Sequence, residues 1–118
     1  MKNTEMLKKN YEFKYIFSKG KYISGKYIEI YIKKNKYSKN LLGIAISKKI
    51  AKSVKRNRIK RLIRENYRLL ENNLEVGYSI IILWKKKTAI ENATFRNIEK
   101  DMKNIFKIAN ILLEEGKV

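Results

Sequence analysis

The strongest constraint on the fold is a long amphipathic helix between two apolar strands. The stretch LLGIAIS (41–47) alternates in the manner of a half-buried strand, and YSIIILW (78–84) is apolar almost throughout, as in a strand buried on both faces. Hydrophobic periodicity predicts a helix from about Val54 to Asn72 between them. This order is typical of a βαβ unit with two parallel strands, and it predicts an α/β sandwich.

Three further segments have a clear pattern. NYEFKYIFSKG predicts a short helix that Asn10 caps and Gly20 ends. YIEIYIK alternates apolar and polar residues, which predicts another strand. ATFRNIEKDMKNIFKIANILLEEG predicts a C-terminal helix capped by Thr94. The core stripe predicted for that helix is Phe95, Ile98, Met102, Ile105, Phe106, Ala109, Leu112 and Leu113.

The expected fold is an α/β two-layer sandwich with a four-stranded sheet and about three helices, in the order αβββαβα, which has one strand more than the three whose patterns are given above. A chain of 118 residues is expected to form a single domain, residues 1–118, with one modest core. No apolar run approaches the ~20 residues that a membrane-spanning helix needs. The first ten residues lack the apolar stretch of a signal peptide. Because the chain has no cysteine, a cytoplasmic location is expected.

The helix between the two strands is unusually basic. The window Ser47–Arg68 holds ten basic residues and one Glu, a net charge of +9, within a chain whose net charge is +18. Five of the six arginines lie between Arg56 and Arg68. On a helical wheel, one sector is apolar and consists of Ile59, Leu62, Ile63, Leu69 and Leu70. The opposite sector and its flanks form a cationic ridge of Arg56, Asn57, Arg58, Lys60, Arg61, Arg64 and Arg68.

This ridge has three interpretations. A solvated face with ion pairs is disfavoured because Glu65 is the only acid between Arg56 and Arg68, so that like charges are neighbours at i,i+4. A membrane-surface helix is disfavoured because the apolar sector is needed to cover the sheet. A polyanionic partner would neutralise the charge, and Asn57 adds hydrogen-bonding capacity. The sequence therefore favours a nucleic-acid interface.

The residue types that are missing limit the chemistry. The chain has neither His nor Cys, which excludes the usual neutral-pH acid–base and an ordinary zinc site. Asp101 is the only aspartate, and Glu99 points elsewhere on the same helix, so a two-metal nuclease site is not expected. There is also no Gly-rich phosphate loop. We expect no active site formed by the protein itself.

Several aromatic and basic residues have two interpretations each. Phe13 and Phe17 fit a helix core, and Tyr27 and Tyr31 fit an exposed strand face, but these aromatic rings could also stack on unpaired bases. The run Lys85–Lys87 follows a buried strand and is either a solvated end or a phosphate contact. Trp84 is expected to be a packing residue.

The stretch GIAISKKIAKSVKRNRIKRLIRE (43–65) resembles the protein subunit of bacterial ribonuclease P. The resemblance rests on a strand that ends in Ser-Lys-Lys and a basic helix with Arg-Asn-Arg, Lys-Arg and Arg-Glu. Here these are Ser47-Lys48-Lys49, Arg56-Asn57-Arg58, Lys60-Arg61 and Arg64-Glu65. The N-terminal LKKNYEFKYIFSKGKYISGKYIEIY is similar to the opening helix and first strands of that family.

The resemblance implies the protein component of a holoenzyme that removes the 5′ leader of precursor tRNA by endonucleolytic cleavage. It implies that the RNA subunit is the catalyst and holds Mg²⁺, while the protein binds that RNA and the single-stranded leader. No protein partner is predicted. The implied fold is an α/β sandwich with a left-handed parallel βαβ crossover, against the usual rule.

The resemblance also implies roles for individual residues. Those implied to bind the RNA subunit are Arg56, Asn57, Arg58, Lys60, Arg61, Arg64 and Arg68. Those implied to bind the leader are Phe13, Phe17, Tyr31, Ser47, Lys48, Lys49 and Lys52. Two other functions stay open: another RNA-binding module, such as a ribosomal protein, and a DNA-compacting architectural protein. Cleavage of precursor tRNA with the cognate RNA subunit distinguishes the ribonuclease P function from both of these alternatives.

Overall fold

A computed structural model describes residues 1–113 of the chain. It contains five strands, three α-helices and two short 3₁₀ helices. The strands are β1 (Thr4–Met6), β2 (Lys21–Ser24), β3 (Ile28–Lys34), β4 (Asn40–Ala45) and β5 (Tyr78–Trp84). The helices are α1 (Asn10–Lys19), α2 (Ser53–Leu70) and α3 (Phe95–Ile108). The 3₁₀ helices are Glu71–Asn73 and Ile90–Asn92.

The five strands form one mixed sheet in the order β1-β4-β5-β3-β2. β4 and β5 are parallel, with Gly43 opposite Ile81, and α2 connects them, so the predicted parallel βαβ unit is confirmed. β3 pairs antiparallel with both β5 and β2. Consequently the carboxyl ends of β4 and β5 and the start of β3 lie at one edge of the sheet.

The two faces of the sheet carry different helices. On one face, α2 and α3 cover the main core, which includes Ile30, Ile82 and Tyr67. On the other face, Ile16 of α1 packs against Ile81. The prediction of two layers is therefore incomplete, because α1 adds a partial third layer on the second face of the sheet. Part of the second face stays open, and Ala45 and Leu83 are only half-buried there.

The prediction of four strands in the order αβββαβα was wrong, because β1 precedes α1. β1 pairs parallel with β4 at the edge of the sheet, and three residues are too few to show an alternating pattern. Distant groups hold it there. Glu71 accepts backbone N–H groups from Lys2 and Asn3, at 3.0 and 3.3 Å, and the Thr4 hydroxyl lies 2.9 Å from that of Tyr67.

Two details of α1 and α2 differ from the prediction. Asn10 is the first residue of α1 rather than its cap, which is Lys9, and a Glu12 oxygen accepts the Lys9 backbone N–H at 3.3 Å. Leu69, which was placed in the apolar sector of α2, is exposed. Tyr67 is fully buried in that helix, against Phe106. The apolar face of α2 is thus rotated toward Tyr67.

The C-terminal helix ends earlier than predicted. Thr94 does cap α3, accepting the backbone N–H of Asn97 at 3.2 Å, but the helix stops at Ile108. Asn110 has a φ of 61°, the left-handed conformation of a helix C-terminus, and Ile111 N–H donates to Phe106 at 3.1 Å. Of the predicted stripe, Ile98, Met102, Ile105 and Phe106 are buried, Phe95, Ala109 and Leu112 are half-buried, and Leu113 is exposed. The predicted helix after residue 113 lies outside the described residues.

Candidate nucleic-acid interface

The outer face of α2 carries the cationic ridge. Helix geometry places it opposite Ile59 and Ile63, which are buried against the sheet. Of its seven predicted residues, Asn57, Arg58, Arg61, Arg64 and Arg68 are exposed, and Arg56 and Lys60 are half-buried. In residues 1–113 only one of these cations forms an ion pair, so most of the charge faces solvent.

The exception is Arg68, which is paired with Glu65 of the preceding turn. Its Nη2 and Nε donate to the two carboxylate oxygens at 2.6 and 3.2 Å. The hydrogen bond from Arg68 lowers the pKa of Glu65, and the same bond raises the pKa of Arg68. The pair is exposed on both sides, so it contributes little stability. It does reduce the net charge at this end of the ridge.

Arg56 begins the ridge and also shapes the loop before α2. Its Nη1 donates to the Ala51 carbonyl at 2.7 Å. In the same loop, the Ser47 hydroxyl accepts the Lys49 backbone N–H at 3.2 Å. Lys48, Lys49 and Lys52 are exposed on this turn. The predicted lysines of the leader site therefore lie on a loop that Ser47 and Arg56 order.

The predicted aromatic residues lie on the opposite face of the sheet. The Phe17 ring meets Tyr31 edge to face, with centroids 5.0 Å apart, and it is 38% exposed. Phe13 packs on the backbone of β4, where an added Cβ at Gly43 would lie 2.6 Å from the ring. Phe13 and Tyr31 are half-buried, so they contribute to the small core under α1 and also border the part of this sheet face that no helix covers.

Sequence reasoning missed Tyr22, which completes this aromatic cluster. Tyr22 is paired across the sheet with Tyr31, with ring centroids 5.1 Å apart, and its hydroxyl donates to Glu29 at 2.6 Å. Glu29 lies on β3, so this hydrogen bond links the two strands of the hairpin. The signal that could have found Tyr22 is the register of the β2–β3 hairpin, since directly opposite residues share a face.

The aromatic cluster and the lysine loop lie at different levels along the direction of β4. Gly43 is at the level of Tyr31, because both residues pair with Ile81. Ser47 follows four residues later, which corresponds to about 13 Å along an extended strand. The structure therefore brings Phe13, Phe17 and Tyr31 together but does not bring Ser47 or the lysines into that cluster. An extended ligand is needed to span both.

The lysine run after β5 is divided between two environments. The Lys85 ammonium donates to the Gly25 carbonyl at 2.9 Å, so it has a structural partner. Lys86 and Lys87 are exposed, and together with Lys49 they line a cavity of about 440 Å³. Trp84 is buried, and its indole N–H donates to the Thr88 carbonyl at 3.0 Å, which confirms its packing role.

Within residues 1–113, no three acidic side chains come together in a group that could hold a metal ion. Asp101 is instead a structural acceptor for the backbone N–H groups of Lys26, Tyr27 and Ile28, each at 2.8 Å. Of the helices in the described part of the chain, none has the length and apolar character needed to span a membrane.

Comparisons with known proteins agree with one another. The family model described as Ribonuclease P matches residues 1–110. The ribonuclease P protein component of Clostridioides difficile is 39% identical over 92% of this chain and 94% of its own length. That of Fusobacterium nucleatum is 44% identical over 90% of this chain and 97% of its own length.

Solved structures show the same likeness. The RNase P protein of Staphylococcus aureus superposes with a TM-score of 0.80 at 30% identity, covering 91% of this chain and 96% of that one. The RNase P protein of Thermotoga maritima superposes with a TM-score of 0.79 at 28% identity, covering 88% and 96%. With its basic crossover helix and mixed five-stranded sheet, the chain belongs to the ribonuclease P protein component family, whose function lies in tRNA processing.

Proposed function

We propose that this chain is the non-catalytic protein subunit of a ribonuclease P holoenzyme and acts on two RNAs at once. The cationic ridge on α2 binds the RNA subunit, through Arg56, Asn57, Arg58, Lys60, Arg61, Arg64 and Arg68. The open face beside α1 binds the single-stranded 5′ leader of precursor tRNA. This leader cleft consists of Phe13, Phe17 and Tyr31, with Ser47, Lys48, Lys49 and Lys52. The whole chain acts as one RNA-binding domain in the cytoplasm.

One observation carries this proposal: the ridge and the aromatic part of the leader cleft lie on opposite faces of the sheet. The ridge faces away from the core on the α2 side, and the Phe17–Tyr31 pair lies on the α1 side. Arginine suits the first surface because its planar guanidinium binds phosphates in a bidentate manner. Open aromatic rings suit the second because every base has a π-face on which to stack.

The cleavage chemistry is assigned to the RNA subunit. The two surfaces offer guanidinium, ammonium, amide and aromatic groups, whereas Mg²⁺ prefers carboxylates, phosphates and water. These residues therefore do not fit a Mg²⁺ site, and the ion belongs with RNA phosphates. The contribution of the protein is to hold the leader and to place cations where two RNAs approach each other.

Separating the two surfaces by mutation tests the proposal. Loss of one base stack in Phe17→Ala removes ~1–3 kcal/mol, so holoenzyme affinity for precursor tRNA is expected to fall by up to about two orders of magnitude. Affinity for mature tRNA, which lacks the leader, is expected to change little. Arg61→Ala is expected to weaken assembly with the RNA subunit but not the preference for precursor over mature tRNA once assembled.

Ile108→Ala is the matched control, because Ile108 is an exposed apolar residue on α3, which packs on the other face of the sheet. Thermal melts accompany the binding measurements. Since Phe17 is partly exposed, its truncation leaves no large cavity and the domain is expected to stay folded. If the Phe17→Ala variant is folded but lowers the affinity for precursor and mature tRNA equally, the leader cleft is wrongly placed.

A further inference from the structure

A second aromatic groove runs along α1, on the flank away from Phe13 and Phe17. With Ile16 against the sheet, the 100° spacing of helical residues places Phe13 and Phe17 on one flank and Tyr11 and Tyr15 on the other. This groove encloses about 770 Å³ and lies over the ends of the strands opposite the lysine loop. The tyrosine groove is defined by Tyr11, Tyr15, Tyr37, Lys33, Lys36 and Leu41.

The three tyrosine rings of this groove are open to solvent. Tyr11 and Tyr37 are each 66% exposed, and Tyr15 is 55% exposed. Three exposed aromatic rings in one groove form a contiguous apolar patch, and such patches mark interaction sites. The rings therefore offer flat faces to a ligand, without any need to open the core.

The loop that carries Tyr37 is held in place by Asn35. The Asn35 side-chain amide donates to the Lys39 carbonyl at 3.3 Å and to the Ser79 hydroxyl at 3.2 Å. Its side-chain oxygen accepts the Tyr37 backbone N–H at 2.8 Å. The backbone beneath Tyr37 is thus ordered before any ligand arrives, which lowers the entropic cost of binding.

Charge around the groove favours an anionic ligand. The Lys33 ammonium lies 5.9 Å from the Tyr15 ring centroid, and the Lys9 ammonium lies 5.8 Å from that of Tyr11. Of the acids, Glu12 lines the groove itself and accepts the Lys9 backbone N–H at 3.3 Å, and the nearby Glu5 is paired with Lys39 at 2.9 Å. The groove therefore presents lysines between its aromatic rings.

We propose that the tyrosine groove is a second binding site for single-stranded RNA, separate from the leader cleft. Its tyrosines stack on unpaired bases, and Lys33 and Lys36 contact the phosphates between those bases. A second copy of this chain does not suit the groove, because two molecules that each carry a net charge of +18 repel each other. The site does not depend on the leader cleft, from which α1 separates it.

The test uses the full-length protein with the Phe17→Ala substitution, so that the leader cleft is already weakened. The probe is a fluorescent oligouridylate of about eight nucleotides, and binding is followed by anisotropy. Adding Tyr15→Ala and Tyr37→Ala is expected to lower affinity at least tenfold, whereas adding Tyr15→Phe and Tyr37→Phe is expected to retain it. Because the rings are exposed, all variants are expected to melt alike.

Cross-linking gives an independent measurement. Oligouridylate that carries 4-thiouridine is expected to form adducts with Tyr11, Tyr15 or Tyr37, identified by mass spectrometry. Unchanged affinity in the double alanine variant, or adducts confined to α2, would overturn this proposal. Neither result would contradict the leader cleft proposed above. A concentration-dependent dimer that the alanine substitutions abolish would also overturn it, since the groove would then bind a second copy.

Discussion

At the scale of single residues, Asp101 shows how a buried carboxylate in a basic protein can serve as an acceptor for the backbone. It is the only aspartate in the chain, and it is buried. Its two oxygens accept three successive backbone N–H groups where the chain enters β3. An added Cβ at Gly25 would collide with the Asp101 carboxylate, so the turn before β3 is built around this group.

Asp101→Asn is expected to lower the free energy of unfolding by about 1–3 kcal/mol. The substituted amide keeps one acceptor oxygen but turns an NH₂ group toward backbone donors. Thermal or urea melts measure the loss, with Glu99→Gln on the same helix as the control, because that change removes only a partly exposed ion pair with Lys103. Below its melting temperature the variant is expected to support cleavage in the holoenzyme. A variant that folds normally yet abolishes cleavage would give Asp101 a functional role instead.

Glu65 offers a second test at this scale. Because the hydrogen bond from Arg68 lowers the pKa of Glu65 from its ordinary value, the carboxylate is ionised at neutral pH and neutralises that arginine. Glu65→Gln is expected to strengthen binding to the RNA subunit severalfold at low salt and to steepen the salt dependence by up to about one phosphate contact. The difference from wild type should be constant between pH 5 and 8. Weaker binding would mean that the ion pair orients Arg68 for RNA.

At the scale of elements, α2 combines the apolar cover of the sheet with the cationic ridge. If the ridge makes about six phosphate contacts, affinity for the RNA subunit is expected to fall roughly 10³-fold between 50 and 200 mM salt. Arg61→Gln with Arg64→Gln is expected to reduce the slope of log affinity against log salt by nearly two. Lys100→Gln with Lys107→Gln removes the same charge from exposed sites on α3 and is the control. Equal slopes for the two double variants would place the RNA contact elsewhere.

Elements with a continuous or alternating apolar pattern could be predicted from the sequence. The strand predicted over 78–84 coincides with β5, because seven consecutive residues carry its signal. β1 could not be predicted, since distant groups such as Glu71 hold it in place. The end of α3 was misplaced because Leu112 and Leu113 continue the apolar pattern beyond the left-handed Asn110. The hand of the β4–α2–β5 crossover stays a prediction.

The same distinction holds for the candidate interface. The ridge is local to one helix, so its spacing in the sequence was sufficient to predict it. The bond of Arg56 to the loop carbonyl, the place of Tyr22 beside Tyr31, and the tyrosine groove all depend on tertiary structure. Which RNA each surface binds is still a prediction from the family and from the chemistry of these side chains.

At the scale of the whole molecule, the sheet separates two surfaces of different chemistry. The ridge on the α2 side is suited to phosphates of folded RNA, and the α1 side is suited to unpaired bases. With a net charge of +18, the protein can also replace counterions where the RNA subunit and precursor tRNA meet. We therefore propose that the protein provides recognition and charge neutralisation, and that the RNA carries out bond cleavage.

A Mg²⁺ titration of precursor-tRNA cleavage tests this assignment most directly. The RNA subunit, the RNA-free protein and the two together are compared over the same range of Mg²⁺, and the midpoint for 5′ cleavage is measured. We expect no cleavage by the protein alone and a lower midpoint when it joins the RNA subunit. An unchanged midpoint, or sustained cleavage by the protein alone that survives a nuclease treatment removing contaminating RNA, would contradict the account.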